Sequence, residues 1–110
     1  MSERMLQINS LIIGKLGEVF SRELEMPSEL FVTISKVETG SDLKTAKVKL
    51  TVFPFEKSQD GLALVIRHKK AIQRALGKLI AIKFTPKLFF VIDDTEEKVD
   101  NIYKLIDDRE

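Results

Sequence analysis

The sequence predicts an α+β domain in the order helix, strand, strand, helix, helix, strand, with a short C-terminal helix and a three-stranded sheet packed against the helices. Three observations carry this. Apolar residues recur every three or four positions over the first twenty-odd residues, strict alternation runs through residues 45–52, and two helical pieces precede one more apolar run. A chain of 110 residues fits a single domain, 1–110, with no repeat, linker or low-complexity stretch to divide it.

Met5, Ile8, Ile12, Leu16, Val19 and Phe20 form the stripe of an amphipathic helix reaching to about Glu25. Met26-Pro27 ends it, because proline disfavours helical geometry in the residue before it. Arg4, Lys15 and Arg22 share an azimuth on the opposite face, a sparse basic row. Leu30 to Thr39 is β-branched and aromatic and reads as a strand; its alternation slips between Ile34 and Val37, which predicts a bulge or twist. Gly40-Ser41-Asp42 supplies the turn. The next strand buries Ala46, Val48, Leu50 and Val52 and wets Thr45, Lys47, Lys49 and Thr51.

Pro54 closes that strand, and Ser58 or Asp60 is positioned to cap a helix starting near Gly61. One straight helix from Leu62 to Ile80 would gather Leu62, Val65, Ile72, Leu76, Leu79 and Ile80 on one face, with Lys69 in their midst. Burying an unpaired ammonium is expensive, so a break is expected near His68 to Lys70. After Thr85-Pro86, the continuous apolar run Leu88 to Ile92 suits a central strand covered on both faces. Asp93-Asp94-Thr95 then caps a last helix with Val99, Ile102, Tyr103 and Ile106 as its stripe and Glu96 and Glu97 in its first turn.

Hydrophobic residues make up 44% and charged residues 32%, ordinary for a folded domain. The absence of cysteine excludes disulfides, thiolate metal sites and a cysteine nucleophile, and suits a reducing cytoplasm. Charges from Arg4 onward leave no apolar leader or spanning segment, so a soluble, unexported protein without membrane attachment is expected. Net charge is only +1, which alone argues against a nucleic-acid binder. The average hides an asymmetry: Gly61 to Ile92 holds Arg67, Lys69, Lys70, Arg74, Lys78, Lys83 and Lys87 and no acid, whereas Asp93 onward is acidic.

Arg67, Lys70, Arg74 and Lys78, three and four apart, fall on one stripe that can follow a phosphate backbone. Many such runs are solvated faces, but those usually mix signs. Lys36, Lys44, Lys47 and Lys49 extend the surface or merely keep the sheet soluble. Phe31, Phe53, Phe55, Phe84, Phe89 and Phe90 offer stacking surfaces, although core packing is the better reading. His68 has no second histidine or thiol to complete a metal site. No nucleophile elbow or glycine-rich phosphate loop occurs, so no cofactor, metal, small-molecule substrate or enzymatic activity is expected.

Val32-Thr33-Ile34-Ser35-Lys36-Val37, Ser41-Asp42-Leu43 with Ala46-Lys47-Val48, and Leu76-Gly77-Lys78 leading to Thr85-Pro86-Lys87-Leu88-Phe89-Phe90 occur in an order and spacing that resembles bacterial ribosome-binding factor A. Glu23-Leu24-Glu25-Met26-Pro27 is similar to the end of that family's first helix. The resemblance implies a KH-like fold of the second type. It also implies a non-enzymatic assembly factor that binds the small (30S) ribosomal subunit, assists late maturation and processing of 16S rRNA, and matters in cold adaptation. The family has an Ala-x-Gly interruption between its central helices, and that position falls here on His68-Lys69-Lys70.

The expected RNA-binding set is therefore Arg67, His68, Lys69, Lys70, Arg74 and Lys78, with Arg4, Lys15 and Arg22 as helpers, on a cytoplasmic protein expected to be monomeric. The rival readings are an α+β protein-interaction module without direct RNA contact, using the exposed strand and acidic last helix, and an enzyme with an unfamiliar carboxylate site.

Overall fold

The computed structural model describes residues 3–25, 27–80 and 85–93. Helix α1 spans Glu3–Glu23, two residues short of the sequence reading. Ile12, Leu16 and Val19 are fully buried, as the three-and-four spacing requires. Buried Asn9 ties this helix to the sheet. Its Oδ1 accepts the Thr39 backbone N–H at 3.0 Å and the Thr39 hydroxyl.

Strand β1, Phe31–Thr39, pairs antiparallel with β2, Thr45–Phe53. The expected bulge is present: the register runs from Phe31↔Phe53 to Ile34↔Leu50 and resumes at Lys36↔Lys49, leaving Ser35 extra. In the turn between them the Lys44 N–H donates to Asp42 Oδ1 at 3.0 Å, and Leu43 takes a left-handed φ of 60°. Ala46, Val48, Leu50 and Val52 face the helices and are buried.

A single 3-10 turn, Phe55–Lys57, leads into α2, Ser58–Arg67. The capping expectation is corrected here. The helix begins at Ser58, Lys57 holds the N-cap without a side-chain cap bond, and the Ser58 hydroxyl donates to Phe55 O at 2.6 Å. The preceding 3-10 turn already brings the chain round, so helical hydrogen bonding starts three residues before Gly61. Gly61 is needed for close approach, since a Cβ there would lie 2.7 Å from Val52 Cγ2.

The expected break falls at His68, with φ −98° and ψ 10°, and α3 follows over Lys69–Leu79. These dihedrals demand no glycine, which explains how the corner forms without an Ala-x-Gly element. The His68 Nδ1 lies 2.9 Å from Leu64 O, pinning the imidazole back along α2.

Strand β3, Lys87–Ile92, runs parallel to β2, so α2 and α3 form the crossover between them. The sheet order is β1-β2-β3. The expectation of a central, doubly covered β3 is thus overturned: β3 is an edge strand, buried through Leu88 and Phe90 only on the helix side. An apolar run marks a strand but does not say how many faces are covered. The expectation that the phenylalanines pack in the core holds for Phe90, against Phe20 at 6.3 Å between ring centroids, but Phe31, Phe53 and Phe89 are exposed on the open sheet face. The predicted C-terminal helix, with Glu96, Glu97 and the acids after them, lies outside the described residues, as does Phe84.

Candidate nucleic-acid interface

Helix α3 presents its apolar row, Ile72 and Leu76, to the core. Lys70, Arg74 and Lys78, four apart, are exposed. Arg67 belongs to the last turn of α2, across the His68 break. The four-residue stripe expected of one continuous helix is therefore three residues on α3 plus Arg67 on the neighbouring element. Among the described residues no carboxylate forms an ion pair with Arg67, Lys69, Lys70, Arg74 or Lys78.

The first turn of α3 contains no acid and two lysines, Lys69 and Lys70. The helix dipole is positive at this end, so each cation costs about 0.3–1 kcal/mol of local stability at low ionic strength. An anion placed there would gain from the same field and from the unpaired N–H groups of the first turn. The two first-turn lysines are thus placed at a small local cost that a bound anion would offset.

Lys69 resolves its conflict with the core by turning around the edge of the sheet. Its Nζ stands 4.8 Å from the Phe89 ring centroid, while its body is half-buried. Lys87 Nζ lies 5.7 Å from the same ring. Gln73 fixes the spacing between α3 and β3: its Nε2 donates to Pro86 O at 2.9 Å and its Oε1 accepts the Leu88 N–H at 3.0 Å. This bridge also satisfies backbone groups on an otherwise free strand edge.

Two depressions flank Arg74. One, about 680 Å³, is lined by Lys69, Lys70, Gln73, Arg74, Thr85 and Lys87. The other, about 310 Å³, lies toward α1 and is lined by Arg22, Arg74 and Lys78 together with one acid, Glu23. Arg22, expected only as a helper, is thus brought beside the α3 cations, although Glu18 Oε1 lies 3.4 Å from it and partly neutralises it. Lys15 pairs with the same Glu18 at 3.9 Å. Arg4, at the start of α1, is eighteen residues from Arg22, about 27 Å at 1.5 Å per residue, and is not brought to this surface. Gln73, Lys87 and Phe89 belong to it: the sequence pattern does not mark Gln73, counts Lys87 in the acid-free basic stretch without assigning it to the site, and offers Phe89 as a stacking surface while favouring core packing. Their signal is period-two alternation, Lys87 and Phe89 out against Leu88 and Phe90 in, obscured by the apolar character of the whole run.

Among the described residues no group of acids and histidines could hold a metal ion, and no helix is long and apolar enough to cross a membrane.

Two antiparallel strands, a two-helix crossover to a parallel edge strand and an acid-free basic corner beside that strand define the molecule as a KH-like α+β domain. Residues 4–106 match the family model described as Ribosome-binding factor A, and the chain belongs to that family. A ribosome-binding factor A of Ruegeria sp. is 35% identical over 107 residues, covering 94% of this chain and 82% of that protein. The crystal structure of ribosome-binding factor A from Thermus thermophilus superposes with a TM-score of 0.71 at 19% identity, over 80% of this chain and 93% of that one. A homology model of the Thermus thermophilus factor, as fitted into the cryo-EM map of a 30S complex, gives 0.62 at 16% identity, over 86% and 96%.

Proposed function

We propose that the chain is a non-enzymatic, monomeric, cytoplasmic assembly factor that binds the small ribosomal subunit and assists late maturation of 16S rRNA. The observation that carries the RNA contact is the basic corner: among the described residues Arg67, Lys70, Arg74 and Lys78 form no ion pair, and Lys69 and Lys70 stand in the first turn of α3, where its dipole opposes positive charge. Family membership and the relative fitted into a 30S map support the choice of partner. His68 shapes the corner, Lys69 reaches the strand edge, and Arg22 extends the surface toward α1; Lys15, paired with Glu18, plays a lesser part, and Arg4 lies away from this surface. Phosphate pairing supplies most of the affinity and rRNA shape most of the selectivity.

The test is co-sedimentation with purified small subunits across a salt series. Replacing Arg67, Lys70, Arg74 and Lys78 by Ala is expected to weaken binding and to flatten the log-affinity against log-salt slope. On single strands the slope falls by about 0.7 for each phosphate that is no longer neutralised. Unchanged binding would refute the assignment. It would favour instead a protein contact through the open sheet face, where Phe31 and Phe53 are 63% and 69% exposed.

A further inference from the structure

We infer that Phe89 is a stacking platform for one unpaired nucleobase, with Lys69 and Lys87 taking the phosphates on either side of it. This rests on the reading that the basic corner binds RNA. Leu88 and Phe90 are buried, whereas Phe89 between them is 43% exposed on an edge strand. A large exposed ring on an edge is a liability for a protein with no use for it.

Its surroundings are what distinguish it from the other exposed rings. Among the described residues, the ammonium groups standing over aromatic rings are those of Lys69 and Lys87, and both stand over Phe89. The parallel register adds Lys47 of β2 beside it. The carboxylate across from Lys47 is Glu38, and it is already engaged by Lys36 at 3.3 Å and Lys49 at 3.4 Å. Phe31 and Phe53 pair with each other six residues along β2 from Lys47, about 20 Å away at about 3.3 Å per residue.

Every base has a π-face and every linkage a phosphate, so an exposed ring between ammonium groups matches the repeat of a single strand. An incoming base replaces the Lys69 head over the ring, and that head moves onto the adjoining phosphate, keeping its charge compensated. Lys70 and Arg74, lining the same depression as Lys69 and Lys87, continue the phosphate track along α3. A duplex, whose bases are already stacked, gains nothing from the ring.

The sequence has no tryptophan, so Phe89→Trp introduces a unique reporter. Its emission, and that of a Phe53→Trp control, is followed on adding a single-stranded oligouridine, an RNA duplex of equal charge, or heparin. Single strands are expected to quench Phe89→Trp, duplex and heparin to leave it largely unchanged, and the control to respond to none. Phe89→Leu is expected to weaken single-strand binding about 5- to 150-fold with an unaltered salt slope, and Phe89→Tyr to restore it. Equal quenching by heparin, or undiminished affinity in Phe89→Leu, overturns the stacking role while leaving the phosphate pairing standing. Absence of RNA binding by the unaltered chain at low salt overturns both. Should Phe89→Leu fail to fold, the tryptophan response and the Phe89→Tyr affinity decide the matter alone.

Discussion

Gln73 holds the basic helix at a set distance from the edge strand, and removing its amide should be felt in both stability and binding. The perturbation is Gln73→Met, which keeps the side chain's length and apolar body but abolishes both hydrogen bonds, at 2.9 and 3.0 Å, to Pro86 and Leu88. Each neutral hydrogen bond contributes about 0.5–1.5 kcal/mol net, so the pair contributes about 1–3 kcal/mol. Leu88 and Pro86 are fully buried, which places the expected loss near the middle of that range, about 2 kcal/mol, because their backbone groups are left poorly hydrated. For a domain of this size that lowers Tm by roughly 8–15 °C. Urea unfolding followed by circular dichroism gives the stability change, and amide exchange at Leu88 locates it. A Cm equal to that of the unaltered chain, together with undiminished protection of the Leu88 amide, would refute the bridge as the element that positions α3.

Two more outcomes follow from packing and charge. Gly61→Ala should destabilise the protein by about 1 kcal/mol or more despite alanine's better helix propensity, because its Cβ would meet Val52 at 2.7 and 3.0 Å and Val32 at 3.1 Å; a rise in Tm would show that α2 can lift off the sheet freely. The Glu38 carboxyl is held below its ordinary value of 4.5, chiefly by the hydrogen bond from Lys36 and also by Lys49, against the opposing effect of burial. Its stabilising contribution is therefore present above about pH 4.5 and lost as pH falls through the lowered value. Glu38→Gln should cost about 0–1 kcal/mol at pH 7 and nothing in strong acid, and a difference in urea midpoint that persists unchanged into acid would contradict this origin.

The corner between α2 and α3 shows how a local conflict in a sequence can point to a functional surface. Lys69 cannot remain on a buried helix face, so the helix breaks at His68 and the lysine is carried to the sheet edge, where an aromatic ring receives it. The break costs helical continuity and gathers cations at the positive end of α3. Both costs are local, and a phosphate would offset both.

Much of this was legible in the residues alone. Spacings of three and four placed α1, alternation placed β2, the slip in pattern put an irregularity between Ile34 and Val37, and the misplaced Lys69 located the break. Each is a local property, set by the periods of helix and strand and by the cost of burying charge. The edge position of β3, the approach of Arg22 to Arg74 and Lys78, and the placing of Lys69 and Lys87 over Phe89 were not legible, because each joins residues from separate elements. A run such as Leu88 to Ile92 is equally apolar whether one face is covered or two, and only the sheet order decides which rings meet water. The sequence by itself therefore determined the elements and the sign of the surface, while the tertiary structure decided which cations share a groove and that Phe89 stands among them.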